Sequence, residues 1–171
     1  PPTVLGFYVL VAYSPQNAFG EFLETTLHLR LAFSFEGILV ASIIFSLPFM
    51  IQPLVNGFEL IPKSYREAAY TLGKSPFTTF MKVLMPNIRP SILTGVAMTF
   101  AHCIGEFGLV IMVGGNMPGE TRVASVAIYD AVQLMDYSTA NKYSLILFLI
   151  SLAILSLIYG FNGKKKEDVR N

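Results

Sequence analysis

Charge is scarce in this 171-residue sequence: only 13% of its residues are Asp, Glu, Lys or Arg, while 53% are hydrophobic. A soluble domain carries about 25% charged residues, so this chain lacks the polar groups to cover its surface in water. Trp is absent, which leaves Tyr and Phe to form any aromatic belt at a membrane interface. We therefore expect the lipid bilayer as solvent and an all-α, polytopic transmembrane helical bundle as the fold.

Several kinds of chemistry are excluded by what the sequence lacks. The single cysteine, Cys103, cannot build an internal disulfide framework or a multi-Cys metal site. No P-loop is present, so ATP hydrolysis by this chain is not expected. No nucleophile elbow and no cluster of His, Cys and carboxylates predicts a catalytic or metal centre. We predict a protein that is not an enzyme and that binds no cofactor, metal or nucleic acid.

Three segments are long and apolar enough to cross a membrane, namely residues 37–58, 90–113 and 143–161. Runs of 18 or more such residues predict membrane helices. Residues 3–13 are also apolar but too short, since a crossing needs about 20 residues. The sequence begins with Pro1-Pro2 and no Met, so we interpret 3–13 as the end of a span whose start is missing. Residues 1–171 are then one transmembrane domain, truncated at its N-terminus by an unknown number of spans.

The basic residues predict the orientation of these spans. Of the twelve Lys and Arg, one lies in residues 14–36, five in 59–89, two in 114–142 and four in the C-terminal tail. Basic residues concentrate in cytoplasmic loops, so segment 59–89 and the C-terminus are predicted to be cytoplasmic. The tail contributes Lys164, Lys165, Lys166 and Arg170, which form an anchor on the inner side or a contact with anionic lipid.

The cytoplasmic segment 59–89 reads as two short amphipathic helices joined at a glycine. Ser64 and Glu67 match a capping box, and Gly73 stands where a left-handed C-terminal cap is expected. Ser75-Pro76 restarts a helix with Pro at its first position, and Pro86 is predicted to end it. On local chemistry alone, the simplest interpretation is a capped connector lying on the membrane surface.

The spacing of this hairpin resembles the EAA loop of ABC-importer permeases. That family carries Glu-Ala-Ala, a glycine and then Ile-x-Leu-Pro, and here Val83 and Met85 are conservative departures. The resemblance implies that the loop docks on a cytoplasmic ATPase subunit, present in two copies, and that the permease is a homodimer served by an extracytoplasmic binding protein. The implied ATPase-coupling residues are Glu67, Ala68, Ala69, Gly73, Val83 and Pro86.

A polar stripe is predicted along the span 90–113. Its members recur at helical spacing and so share one face of a continuous helix: Ser91, Gly95, Thr99, His102 and Glu106. Ser91, Thr99, His102 and Glu106 are the candidates for the transport pathway or for helix packing. For Glu106 we prefer a hydrogen bond to backbone or to a neighbouring helix over substrate contact. For His102 we prefer a satisfied polar group over a proton relay.

Further elements resemble the permeases of molybdate-type importers. They are Gly105-Glu106-Phe107-Gly108, then Gly115-Asn116, and the run AIYDAVQ at 127–133. Sulfate-type permeases share the first two elements. The resemblance implies a plasma-membrane subunit that translocates molybdate or tungstate, with sulfate as a further candidate.

Two rival functions fit the composition as well. One is an ion-gradient-driven secondary transporter or channel that uses His102 and Glu106, and the other is a membrane scaffold. Outside the spans, Thr121–Asp136 predicts an amphipathic helix after a Pro118-Gly119 turn, with Arg122, Ser125, Tyr129, Gln133 and Asp136 on one face. It is either a lid over the bundle or a contact for the binding protein.

Overall fold

The computed structural model describes the backbone of residues 1–167 and the side chains of residues 1–160. Within that range the regular structure is helical, which confirms the predicted all-α fold. The basic side chains Lys164, Lys165, Lys166 and Arg170 lie outside the described residues, so their role stays a prediction. The elements are α1 (Pro2–Tyr13), α2 (Ala18–Thr26), α3 (Phe35–Glu59), α4 (Lys63–Thr71), α5 (Pro76–Thr79), a π-helical turn (Phe80–Leu84), α6 (Met85–Asn87), α7 (Arg89–Ile104), α8 (Gly108–Gly114), α9 (Ala124–Gln133) and α10 (Tyr137–Glu167).

Two helices in the described part of the chain are long and apolar enough to cross a membrane alone. They are α3, with 25 residues, and the Tyr137–Gly160 portion of α10, with 24 residues, and an 18-residue stretch of each has a mean hydropathy of 2.2. Both helices cover the residues predicted as spans, 37–58 and 143–161, and both begin earlier than predicted. The apolar segment 3–13 is also helical, as α1.

The predicted continuous helix over 90–113 is wrong. The segment forms α7 and α8, whose axes differ by 59° across a short break, so that together they amount to one broken span or a re-entrant element. The break falls at Gly105-Glu106-Phe107, where a glycine costs about 0.5–1 kcal/mol relative to alanine inside a helix. Hydropathy does not reveal such a break, because the residues on both sides of it are mainly apolar.

The chain folds into two compact units. The first comprises residues 1–46 and 103–152, and its buried core includes Ile38, Leu109, Val113 and Val126. Helices α1 and α8 pack closely there, since a Cβ on Gly6 would lie 3.0 Å from the Leu109 Cα atom. The position of α8 therefore depends on a glycine of α1.

The second unit comprises residues 47–102 and, within the described part of the chain, residues 153–167. Within it, α3 and α7 approach closely at small residues. A Cβ on Gly95 would lie 2.8 Å from the Met50 sulfur and 3.2 Å from the Met50 carbonyl oxygen, and one on Gly57 would lie 2.5 Å from the Ser91 Oγ. Such close backbone approach is typical of membrane helix interfaces.

Candidate functional site

The first helix of the hairpin 63–88 begins two residues earlier than predicted. Helix α4 starts at Lys63, its N-cap position is Pro62, and no side chain caps it. The predicted capping box of Ser64 and Glu67 is therefore wrong. The Pro62 carbonyl accepts from the Tyr65 backbone N–H at 3.1 Å, so Ser64 lies inside the first turn, where its hydroxyl cannot act as the N-cap.

The turn at Gly73 confirms the predicted left-handed cap. Gly73 has φ +68°, and its N–H donates to the Tyr70 carbonyl at 2.9 Å. The Lys74 N–H donates to the Ala69 carbonyl at 3.0 Å. This pair of bonds is the Schellman motif, which satisfies carbonyls at the end of α4 and directs the chain away from its axis.

Helix α5 begins as predicted, at a serine cap followed by proline. The Ser75 hydroxyl accepts from the Thr78 N–H at 3.2 Å, and Pro76 occupies the start of the helix. The two helices of the hairpin are thus defined by local capping on both sides of Gly73.

Pro86 does not end the second helix, contrary to the prediction. The helical path continues through the π-helical turn Phe80–Leu84 and then through α6 to Asn87. Proline lacks an N–H and crowds the carbonyl four residues before it. The π turn widens the helix at that point, with the Met85 N–H donating to the Phe80 carbonyl. The Asn87 side-chain amide donates to the Val83 carbonyl at 2.7 Å.

The six EAA-loop residues lie on this hairpin in different environments. Glu67 and Ala68 are exposed, Ala69 is buried, and Val83 and Pro86 are half-buried. A Cβ added at Gly73 would meet no atom within 4 Å. The side chains beside this turn are apolar and open, since Leu72 is 74% and Phe77 is 72% exposed. The tip of the hairpin is therefore a capped, preformed turn with exposed apolar side chains.

The predicted polar stripe is not one face of one helix. Ser91, Thr99 and His102 lie on α7, whereas Glu106 lies beyond its end, in the break. Ser91 sits against Gly57 of α3, and the His102 ring stacks on Phe49 with ring centroids 4.0 Å apart. The Thr99 hydroxyl is buried and has no hydrogen-bond partner among the described residues.

Glu106 stabilises the start of α8. Its side chain is buried, and its Oε1 accepts from the Leu109 backbone N–H at 3.0 Å. The first N–H groups of a helix have no partner within it, and the Glu106 side chain accepts from one of them. An acidic side chain at this position also interacts favourably with the positive end of the helix dipole. This geometry agrees with the preferred interpretation of Glu106 as a hydrogen-bonded structural group.

The outer segment also differs from the prediction. Helix α9 covers Ala124–Gln133, shorter than the predicted 121–136, although Gly119 does form a turn with φ +80°. Asp136 lies outside α9, and its Oδ1 accepts from the Thr139 N–H at 3.1 Å at the start of α10. A side-chain hydrogen bond from Thr139 is the largest cause that lowers the pKa of Asp136, and this backbone hydrogen bond lowers it further.

A polar network that sequence reasoning did not assemble joins the loop after α8 to α9. The Asn116 amide donates to the Asp130 Oδ2 at 2.8 Å, and the Arg122 Nε donates to the Asn116 Oδ1 at 2.9 Å. Asn116 itself has φ +55°, a left-handed conformation that Asn tolerates better than most residues. The Gly115-Asn116 pair was the available signal, but the sequence alone does not indicate its partners.

The described residues hold no group of three or more His, Cys, Asp or Glu arranged to bind a metal ion. The arrangement instead offers two mechanical features, a capped hairpin with an apolar tip and a broken apolar helix with a buried carboxylate at the break.

Comparison with known proteins identifies the family of these features. The family of binding-protein-dependent transport system inner membrane components matches residues 1–163. The molybdenum transport system permease protein ModB of Azotobacter vinelandii is 43% identical over 159 residues, covering 93% of this chain and 70% of the relative. The probable sulfate transport system permease protein cysT of Nephroselmis olivacea is 35% identical over 167 residues, covering 98% of this chain and 58% of the relative.

A bacterial sulfate permease has a lower sequence identity to this chain. The sulfate transport system permease protein CysT of Escherichia coli (strain K12) is 32% identical over 155 residues, 91% of this chain and 56% of the relative. The chain spans between 56% and 70% of the length of these three proteins. It belongs to the family of binding-protein-dependent transport system inner membrane components, which confirms the resemblance seen in its motifs.

Proposed function

We propose that this chain is part of the membrane-spanning subunit of an ATP-driven importer that translocates an oxyanion. Molybdate or tungstate is the proposed substrate, and sulfate is the alternative within the same mechanism. The 43% identity to a molybdenum permease, against 35% and 32% to two sulfate permeases, supports this order. The scarcity of charge in the spans is compatible with an oxyanion path lined by neutral donors and helix ends.

The single observation that carries the proposal is the tip of the hairpin. Leu72 and Phe77 are largely exposed on either side of a turn held by the Schellman bonds and the Ser75 cap. Large apolar side chains exposed together at one turn are a feature of protein-interaction sites. A preformed turn also lowers the entropy cost of docking.

In this proposal the hairpin is the coupling element. Its apolar tip inserts into a groove on a cytoplasmic ABC ATPase, which hydrolyses ATP in place of this chain. Glu67, Ala68 and Ala69 form the helix that approaches the ATPase, and Gly73 sets the bend. Val83 and Pro86 lie at the π-helical turn, where the hairpin leads into α7.

The proposed assembly has two copies of the permease, two ATPase subunits and one extracytoplasmic oxyanion-binding protein. Residues 1–171 form a single transmembrane domain in a multi-pass plasma-membrane protein. The hairpin and the C-terminus face the cytoplasm, following the distribution of Lys and Arg. This orientation places α2 and α9 on the outer side, toward the binding protein.

The test is reconstitution of the full-length permease with its ATPase and binding protein in proteoliposomes. Molybdate, tungstate and sulfate uptake are each measured with ATP inside the vesicles and with an imposed proton gradient alone. We expect uptake to require ATP and to follow the anion that the binding protein holds in isothermal titration. Uptake that follows the proton gradient and ignores ATP would instead favour a secondary transporter that uses His102 and Glu106.

A further inference from the structure

Helix α9 contacts the start of α8 through the break. The Ser125 Oγ donates to the Glu106 backbone carbonyl at 2.7 Å. The Phe107 and Tyr129 rings lie against each other, with centroids 4.8 Å apart and planes tilted by 51°. In a continuous helix the Glu106 carbonyl would accept from the N–H four residues later. A hydroxyl from α9 bonds to it here, and this bond favours the broken path.

The same helix also contacts the end of α8. Asp130 of α9 accepts from the Asn116 amide at 2.8 Å and lies 3.4 Å from the Arg122 guanidinium. The Arg122 Nε in turn donates to the Asn116 Oδ1 at 2.9 Å. Asn116 follows directly after the left-handed Gly115 that ends α8. Helix α9 therefore contacts both the start of α8 and the loop that follows α8.

The spacing on α9 explains how one helix reaches both ends. Ser125, Tyr129 and Asp130 are separated by four and one residues, so Ser125 and Tyr129 share a face and Asp130 lies beside it. Helix α8 has 7 residues, a length of about 10 Å at 1.5 Å per residue. It is a short segment that packs against α1 and is also attached to α9 at its start and just after its end.

We propose that Ser125 and Asp130 are positioning residues, which hold the break at residues 105–107 and the loop after α8 on α9, so that displacement of α9 is transmitted to Glu106. Neither residue needs to touch the transported anion. The positioning itself is independent of the proposed function. Only its consequence for transport rests on that function.

Cys103 is a built-in reporter for the position of the break. It is exposed, its sulfur lies 2.9 Å from the Ser46 Oγ, and its carbonyl accepts from the Glu106 N–H at 3.3 Å. In the full-length permease, with any cysteine outside residues 1–171 replaced, its reaction rate with a membrane-permeant maleimide is measured. We expect Ser125→Ala to change that rate about fivefold, the factor expected for one net hydrogen bond.

Two variants separate positioning from general loss of structure. Ser125→Thr keeps the hydroxyl and is expected to restore the wild-type rate. Ser138→Ala removes an exposed serine of α10 and serves as the matched control, with no change expected. The proposal is overturned if Ser125→Ala leaves the rate at the wild-type value, or if Ser125→Thr reacts like Ser125→Ala.

A double-mutant cycle tests whether α8 acts as one body. The ratio of anion transported to ATP hydrolysed is measured for Ser125→Ala, Asp130→Ala and the double variant. Substitutions at distant independent sites contribute separately, so their effects multiply. If both residues hold one rigid segment, the double variant will lose no more than the worse single variant. A multiplicative loss would show two separate contacts and overturn the transmission through α8.

The two readouts distinguish this inference from the function. If the maleimide rates change as expected while the wild-type protein transports no oxyanion, the positioning role of Ser125 is supported and the proposed transport function is refuted. If transport is ATP-driven and the rates do not change, the proposed function stands and the positioning is overturned.

Discussion

Substitution of Gly73 tests the hairpin most directly, because the structure separates backbone strain from steric contact there. Gly73 has φ +68°, and a Cβ at this position would meet nothing within 4 Å. Any cost of substitution therefore comes from the backbone. Alanine in the left-handed conformation costs about 1–2 kcal/mol, which lowers the population of the preformed turn about 5- to 30-fold.

Proline at position 73 is expected to act much more strongly. It fixes φ near −65° and removes the N–H, so both the left-handed conformation and the bond to the Tyr70 carbonyl are lost. The cost is about 3 kcal/mol or more, a factor above about one hundred in the population of the turn. Asparagine tolerates the left-handed conformation, so we expect the order Gly, Asn, Ala and Pro for falling activity.

The assay is the number of anions imported per ATP hydrolysed in proteoliposomes, alongside the amount of permease inserted in the membrane. We expect Gly73→Pro to abolish coupling and to leave insertion intact. Gly119 is the matched control, since it also has a positive φ, +80°, and a Cβ there would likewise meet nothing within 4 Å. The coupling assignment is refuted if Gly73→Pro transports normally, or if Gly119→Pro uncouples transport to the same extent.

Three further predictions concern other contacts. Glu106→Gln keeps an oxygen that accepts from the Leu109 N–H, so it should retain most transport activity, whereas Glu106→Ala loses about 1–3 kcal/mol of stabilisation at the break; equal losses of uptake would indicate a role for the charge. Gly95→Ala places a Cβ 2.8 Å from the Met50 sulfur and 3.2 Å from the Met50 carbonyl oxygen. The Met50 side chain can move aside but its backbone is fixed in α3, so the substitution should destabilise the detergent-solubilised protein by about 1–3 kcal/mol. Gly160→Ala, which meets nothing within 4 Å, is its control, and equal melting temperatures would contradict the close approach. The pKa of Asp136 is lowered by its bonds to Thr139, so its stabilising contribution is present above the unfolded pKa and is lost as pH falls through the folded one; Asp136→Ala should flatten the acid side of the thermal-stability profile, and an unchanged profile would exclude this contribution.

Composition and local pattern predicted the parts of this protein that depend on neighbouring residues alone. The helices at 37–58 and 143–161 followed from hydropathy, because a backbone in lipid must satisfy its own hydrogen bonds. The turn at Gly73 and the cap at Ser75 followed from residue type, because left-handed backbone and hydroxyl caps act within one helical turn. The family itself could be recognised from the spacing of Glu67, Gly73 and Pro86.

Two errors in the hairpin show the limit of local rules. Ser64 was a plausible cap, but the N-cap position is Pro62, two residues earlier, and the helix begins at Lys63. Pro86 was expected to end a helix, yet the π-helical turn before it lets the chain continue. In both cases two local conformations compete: two possible helix starts at Pro62 and Ser64, and a helix end or a π-helical turn near Pro86. A single sequence motif does not tell which of the two is more stable.

The sequence by itself determined an all-α membrane protein, the approximate positions of its apolar helices and a capped hairpin of recognisable family. Only the tertiary structure decided where the span 90–113 breaks and what holds the break. The bonds from Leu109 to the Glu106 side chain and from Ser125 to the Glu106 carbonyl compensate backbone groups at the break. Ser125 lies 19 residues further along the chain, beyond the reach of any helical period, so the contact exists only once α9 is folded against α8.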